Sequence, residues 1–411
     1  SDIYRYMMDR RRALDGPIPV RHSQTRRPLE LPNPKLFAEY DEGSGGREVS
    51  TTMVFTSVLR NLMRDNEFGK RVVPIVPDEA RTFGMDSLFR EFEIYAPMGQ
   101  LYEPVDHDLL LSYAEDKDGQ ILEEGITEAG SLASWIAAAT SYANLGVPMV
   151  PFFTFYSMFG FQRVGDLIWS AADSRARGFL MGATAGRTTL AGEGLQHQDG
   201  HSLVLASTVP ACQAYDPAFA YELGSIINYG LQEMYGPDGG TDVFYYITLY
   251  NENSEMPPMP ETPGLAEAIV EGLYKFADAP TGASIPATIL FSGTAHTAAR
   301  EAAAELAEHY DVGVELWSAT SYKALREEAL AAERWNRLHP SQEPRVPRVA
   351  QILGDTQGPI TAVSDFMKVV PEQIQRFVLD RTFGPLGTDG MGRSDTREAL
   401  RRHFEVDTGH V

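Results

Sequence analysis

The run Gly178-Phe-Leu-Met-Gly-Ala-Thr184, followed by Gly192-Glu-Gly-Leu-Gln-His-Gln-Asp-Gly-His201, decides how the chain reads. An unbroken apolar run of this length fits a strand buried on both faces, and such strands belong to parallel sheets. The glycine-rich stretch then puts Glu193, His197 and His201 at a strand's carboxyl end, where open α/β sheets bind ligands. Glutamate and histidine in that position can exchange protons near neutral pH. The spacing of His197 and His201 invites zinc. Against it, the acid is misplaced and Gly200 would break the helix that a zinc motif needs, so no metal ligand is assigned.

Outward from this stretch the pattern repeats. Thr51–Arg64 has the helical spacing of Val54, Phe55, Val58, Leu59 and Leu62, and Arg71–Val76 reads as a short buried strand ending at Asp78 and Glu79. An apolar helix over Ser131–Ala143 precedes a strand over Val147–Phe155. Ser202–Ser207 and Val243–Tyr250 are further strand candidates. Four prolines within Asn253–Gly264 mark a linker. Beyond it Ala287–Phe291 (strand), Ala295–Tyr310 (helix), Val312–Trp317 (strand), Ile360–Val363 and Pro371–Leu379 continue the alternation. The reading is an α/β fold of two doubly wound domains with mainly parallel sheets. Its boundaries are an arm over 1–49, a first domain over 50–252, a linker over 253–266 and a second domain over 267–411.

With 411 residues the chain can bury two or three cores. The 57 acidic residues against 35 basic ones give a net charge of −22, which argues against nucleic acid or an anionic membrane as partner. Locally, Arg10, Arg11, Arg12, Arg21, Arg26 and Arg27 make the first thirty residues basic, as a solvated arm lying on an acidic neighbour would be. A single cysteine, Cys212, rules out an internal disulfide and suits a reducing cytoplasm. No stretch reaches the roughly twenty apolar residues of a membrane span. No signal peptide or methionine opens the chain; it begins in a helical pattern over Ile3–Leu14 and reads as a piece of something longer.

Several side chains could carry chemistry. Glu128 has two readings: an acid in the first turn of a helix capped by Thr127, or a carboxyl with a raised pKa among Ile126, Leu132 and Trp135. Asp78 and Glu79 are a solvated turn or a pair of site acids. Arg163 binds an anion or sits in a salt bridge. Tyr156 and Phe159 belong to an aromatic cluster that is either core or a platform for a planar ring. Ser292-Gly-Thr-Ala-His296 lies at a strand-to-helix turn of the phosphate-binding kind but lacks the dinucleotide fingerprint.

Five ordered blocks carry a resemblance. Val76-Pro-Asp-Glu-Ala-Arg-Thr-Phe-Gly-Met85, Gln120-Ile-Leu-Glu-Glu-Gly-Ile-Thr-Glu128, Tyr156-Ser-Met-Phe-Gly-Phe-Gln-Arg163, Gly186-Arg-Thr-Thr-Leu-Ala-Gly-Glu-Gly-Leu-Gln-His197 and Gly387-Thr-Asp-Gly-Met-Gly-Arg-Ser-Asp395 resemble the single-chain, homodimeric bacterial pyruvate dehydrogenases. These are the thiamine-diphosphate-dependent first components of the pyruvate dehydrogenase complex. The resemblance implies a pyrimidine-binding domain followed by most of a transketolase C-terminal-like domain. It also implies that Glu128 shares a proton with the cofactor's aminopyrimidine and so helps remove the thiazolium proton, while Phe159 stacks on that ring. Tyr156 and His197 correspond to groups that meet the pyruvate-derived adduct. Glu193, Asp78 and Glu79 correspond to acids of the active-site channel, and Arg163 lies beside them.

One family feature is missing. The Gly-Asp-Gly motif that holds magnesium and diphosphate has no counterpart, since Gly165-Asp166 continues with Leu167 and Gly354-Asp355 with Thr356. The implied protein is therefore part of a nicked, truncated or separately encoded enzyme, with Mg2+ ligands on an N-terminal half outside the chain. The implied reaction is oxidative decarboxylation of pyruvate with reductive acetylation of a lipoyl domain of dihydrolipoyl acetyltransferase, in a cytoplasmic homodimer. Two rivals stand beside it: another thiamine-diphosphate enzyme of transketolase type, and a catalytically silent dimerisation or assembly fragment.

Overall fold

A computed structural model describes residues 1–13, 29–105, 113–190, 194–237, 240–378 and 381–411. Leu14, Arg21, Arg26, Arg27, Glu193 and Leu379, on which expectations fell, lie outside them.

The first sheet has six strands: β1 (Val72–Val76), β2 (Leu122–Glu123), β3 (Val150–Tyr156), β4 (Phe179–Ala183), β5 (Cys212–Tyr215) and β6 (Phe244–Thr248). They run parallel in the order β2-β1-β3-β4-β6-β5. Every residue of β4 and β6 is buried, which is why these strands read as apolar without alternation. Successive side chains still diverge. Phe179 and Met181 enter one core cluster and Leu180 the other, as do Tyr245 and Ile247 against Phe244 and Tyr246. Both faces therefore need cover.

The main helices are α1 (Asp2–Ala13), α2 (Thr51–Arg64), α3 (Glu128–Ala139), α4 (Gly160–Asp173), α5 (Ser202–Ala206), α6 (Ala220–Tyr235), α7 (His296–Tyr310) and α8 (Tyr322–Leu338), and α2 to α6 supply that cover. The buried residues of α2 and α6 belong to one cluster and those of α3, α4 and α5 to the other. The second sheet has five strands, β7 (Tyr274–Ala277), β8 (Ile285–Phe291), β9 (Val312–Ser318), β10 (Ile360–Val363) and β11 (Phe383–Leu386), in the order β7-β9-β8-β10-β11. All its pairings are parallel except that of β7 with β9 at one edge. Helices α7 and α8 cover its two faces. The proline-rich segment between the sheets is pinned by the pairing of Ser254–Glu255 with Glu48–Val49.

Three expectations need correction. Ser202–Ser207 is not a strand but contains α5. Asp199 accepts the backbone N–H groups of His201 and Ser202, each at 2.9 Å, and so starts a helix where apolar character alone suggests a strand. The strand of this region is β5, which the sequence pattern left unnamed. The helix expected over Ser131–Ala143 starts earlier and breaks at Thr140, whose hydroxyl donates back to the Ile136 carbonyl at 2.8 Å. The arm expected over 1–49 is partly regular: Pro34–Tyr40 forms a 3-10 helix that buries Phe37 and Tyr40. By contrast α1 buries no residue.

Two acids that nothing in the sequence singles out tie the sheets together. Asp216, just after β5, accepts from Thr248 (2.7 Å), Tyr250 (2.5 Å) and, across the junction, Ser292 (2.6 Å). Glu222, in the first turn of α6, accepts from the Ala218 and Phe219 amides, from Tyr274 on β7 and from Ser318 on β9. Burial pushes both carboxyls above their ordinary range, and the donors pull them back. A Glu222→Ala variant leaves four buried donors without their acceptor. It should lose about 3 kcal/mol or more of stability, read as an earlier urea midpoint; an unchanged midpoint would show that the carboxylate contributes nothing net.

Candidate functional site

The carboxyl ends of β1, β2 and β3 and the segment after β4 converge at one edge of the first sheet. Thr127 caps α3 by accepting the Gly130 amide at 3.2 Å, so Glu128 is the first residue of that helix. Strand β3 ends at Tyr156, and Ser157–Phe159 makes one 3-10 turn into α4. Gly160 is required there, because a Cβ would stand 2.1 Å from the Phe155 ring. The tight turn lets Arg163, in the first turn of α4, reach back.

Arg163 Nη1 donates to Glu128 Oε1 at 2.9 Å, and its guanidinium carbon lies 3.9 Å from the centroid of the Phe159 ring. The Glu128 side chain is 12% exposed and that of Arg163 48%. Of the two readings of Arg163, the ion pair is the one observed. The apolar surround expected for Glu128 is only half present, since Leu132 and Trp135 are core residues while Ile126 is 77% exposed.

The remaining groups form an aromatic cluster. Tyr156 stacks on His197 with centroids 4.7 Å apart and planes 20° apart, and both meet the edge or face of Phe159 at 5.7 and 5.6 Å. Phe83, from the turn after β1, packs edge-on against Tyr156 at 5.2 Å. Glu128, Phe159, Arg163, Tyr156 and His197 are thus one contact set. Asp78 and Glu79 are exposed on its flank, Glu79 accepting from the Thr82 hydroxyl at 3.1 Å. Glu193 lies outside the described residues. His201 bonds Gln162 at 2.8 Å on the far side of α4's first turn.

Sequence reasoning missed Glu123, the last residue of β2. It lines a cavity of about 430 Å³ with Asp78, and its carboxyl is pushed up to about 7. Burial is the main cause, opposed by a hydrogen bond from Tyr113, with the charges of Asp78 and Glu115 adding to the rise. The signal was the position of an acid at the end of a strand neighbouring β1. Ser292-Gly-Thr-Ala-His296 proves structural at its first residue, which serves Asp216. His296 is buried, and burial with Arg300 and Arg401 nearby pushes it down to about 3. Cys212 is buried too, its thiol pushed up to about 12. Among the described residues no group of three or more His, Cys, Asp or Glu is placed to hold a metal ion. No helix among them is long and apolar enough to cross a membrane.

This arrangement is that of the transketolase-type α/β proteins. A transketolase from Leishmania mexicana superposes with a TM-score of 0.66 at 15% identity, over 93% of this chain and 47% of that one. A split-gene transketolase described as an inactive beta4 tetramer gives 0.57 at 15% identity, over 89% of this chain and 96% of that one. At these identities the likeness is one of fold.

Sequence places the chain more narrowly. The model of the pyruvate dehydrogenase E1 component middle domain matches residues 29–257, that of the transketolase-like C-terminal domain matches 272–407, and the chain belongs to the pyruvate dehydrogenase E1 component family. It is 52% identical over 405 residues to the pyruvate dehydrogenase E1 component of Pseudomonas aeruginosa, covering 98% of this chain and 45% of that protein. The corresponding protein of Escherichia coli (strain K12) is 47% identical over 411 residues, all of this chain and 46% of its own length. The chain spans less than half the length of these curated relatives.

Proposed function

We propose that the chain forms the pyrimidine side of the active site of a thiamine-diphosphate-dependent pyruvate dehydrogenase. Its reaction would be oxidative decarboxylation of pyruvate with reductive acetylation of a lipoyl domain on dihydrolipoyl acetyltransferase. The observation that carries this reading is the contact set of Glu128, Phe159, Arg163, Tyr156 and His197, in a chain of this family. On the same reading the chain divides at 253–266 into a pyrimidine-binding domain and a transketolase C-terminal-like domain, and it works in the cytoplasm as a homodimer.

The residues fit one part of the cofactor and not the other. A carboxylate that accepts N–H at one edge, beside a flat aromatic ring, suits a nitrogen heterocycle such as the aminopyrimidine. The guanidinium against Glu128 and Phe159 is itself a planar N–H donor. A diphosphate needs a cradle of amides and a cation, and the described residues supply no metal cluster. On this reading, which rests on the missing Gly-Asp-Gly motif, the magnesium and diphosphate ligands belong to the part of the enzyme outside this chain, and the chain alone is inactive. The bound cofactor supplies an acceptor for the electron pair released as carbon dioxide leaves.

This chain's own groups move protons and position substrate. Glu128 shares a proton with the pyrimidine edge, with Arg163 fixing its carboxylate. The ring of His197, braced by Tyr156, presents an imidazole able to deliver a proton to the sulfur released when the lipoyl disulfide opens. Asp78 and Glu79 line the approach.

In the complete enzyme, Glu128→Gln should slow proton exchange at the reactive thiazolium carbon by about a hundredfold or more with the fold intact. Exchange at the wild-type rate would reduce Glu128 to a helix-start acid. His197→Ala should lower lipoyl-domain acetylation by about a hundredfold while decarboxylation with an artificial oxidant falls far less. A parallel fall in both assays would assign His197 to placing pyruvate.

For association, Ala129, Ala133 and Ala137 stand exposed along α3, with Ile126 beyond its start. This apolar stripe is our candidate for part of the homodimer contact. Light scattering on this chain should report about twice 45.4 kDa; a clean monomer would mean that the rest of the enzyme holds the dimer together.

A further inference from the structure

Glu123 is the group whose placement the preceding reading leaves unused. It ends β2 in register with Val76 of β1, two residues before Asp78. Both carboxyls therefore leave the sheet at the same edge and line the same cavity of about 430 Å³. The turn that carries Asp78 also carries Phe83, packed on Tyr156, so one turn borders the cavity and reaches the aromatic cluster.

The protons around Glu123 can be counted. Tyr102 and Tyr113 both donate to Glu115 Oε1, each at 2.9 Å. Tyr113 also hydrogen-bonds Glu123. A phenol has a single proton. That proton is shared with Glu115, so the hydrogen bond from Tyr113, which favours the ionised Glu123, only partly offsets the effect of burial. Three elements face this carboxyl: the turn after β1 with Asp78, Arg81 and Asp86, the segment holding Tyr102, and the strand Glu115–Asp116 with Tyr113 before it. Burial first, and then the charges of Asp78 and Glu115, favour the neutral form.

We propose that Glu123 is a third carboxyl of the approach formed by Asp78 and Glu79, and that its proton sets how strongly the approach repels an anionic α-keto acid. Glu123 touches no reacting atom in this scheme; it acts as an electrostatic positioning residue. The role rests on the functional reading above. Below neutrality the carboxyl is uncharged and substrate meets fewer negative groups. Above neutrality it ionises beside Asp78, and the anion is held off.

The test uses the complete enzyme. With wild type, the KM for pyruvate should rise about two- to fivefold between about pH 6 and 8, the effect of one added charge at the approach, while kcat changes less. Glu123→Gln should abolish that rise. A variant that keeps the wild-type KM profile overturns the inference. A second readout needs no turnover: with glutamate carboxyls labelled by carbon-13, the resonance missing from Glu123→Gln should titrate near neutrality. Titration in the ordinary carboxylate range, in an enzyme that turns over pyruvate normally, overturns the inference alone. A complete enzyme that ignores pyruvate overturns the functional reading, and the substrate role with it, whatever the carbon titration shows.

Discussion

Two carboxylates taken wholly out of water, Asp216 and Glu222, can stay there only because the second sheet brings them donors. Neither set of donors is wholly local. Glu222 takes two amides from its own helix start, but its other partners, Tyr274 and Ser318, come from β7 and β9. Asp216 depends on Ser292 in the same way. An unmet carboxyl at either place would carry a large desolvation penalty. Separating the sheets is therefore opposed twice, by lost apolar contact and by exposed mismatches. The two core clusters say the same in apolar terms, since each contains residues from both sheets.

The same junction positions catalytic candidates that lie entirely in the first half. The backbone from Thr184 to Leu190, which leads toward His197, is buried throughout. Asp365, beyond β10, accepts the Thr188 amide at 3.1 Å, and the Arg187 guanidinium donates to the Thr388 carbonyl. Further on, Gln198 accepts the Arg393 amide at 2.6 Å, one residue from His197. Gly392 fits closely there: a Cβ would stand 2.7 Å from the side-chain amide oxygen of Gln198 and 3.0 Å from the Leu195 carbonyl oxygen. The block Gly387–Asp395, which holds no candidate catalytic group, thus serves as the clamp that fixes the His197 loop.

What could be read in the sequence follows what periodicity can carry. The limits of α2 were legible because Ser50 caps it and five apolar positions fall on one face. Strands β4 and β6 were legible because a two-sided burial leaves an apolar run. Helix α5 was not, since five residues are too few for a period to declare itself, and the deciding hydrogen bonds come from Asp199. Asp216, Glu222 and Glu123 were hidden for another reason: an acid looks the same in sequence whether it is solvated or buried, and only the fold says which. Glu128, Tyr156, Phe159, Arg163 and His197 could be named from the family blocks, but the pairing of Arg163 with Glu128 depends on the turn at Gly160.

Charge poses the problem that this edge of the sheet must solve. A chain with a net charge of −22 repels a carboxylate at long range, and salt screens that only beyond about 10 Å. Near the site the excess has to be removed locally. Arg163 neutralises Glu128 at 2.9 Å, and a proton on Glu123 would remove one of the acids facing Asp78. The two devices differ in kind. A guanidinium stays charged at any relevant pH, so the Glu128 pair is a fixed element of geometry. A carboxyl held near neutrality responds to its surroundings, and that places the adjustable charge at the approach, one step away from the groups that must keep constant geometry.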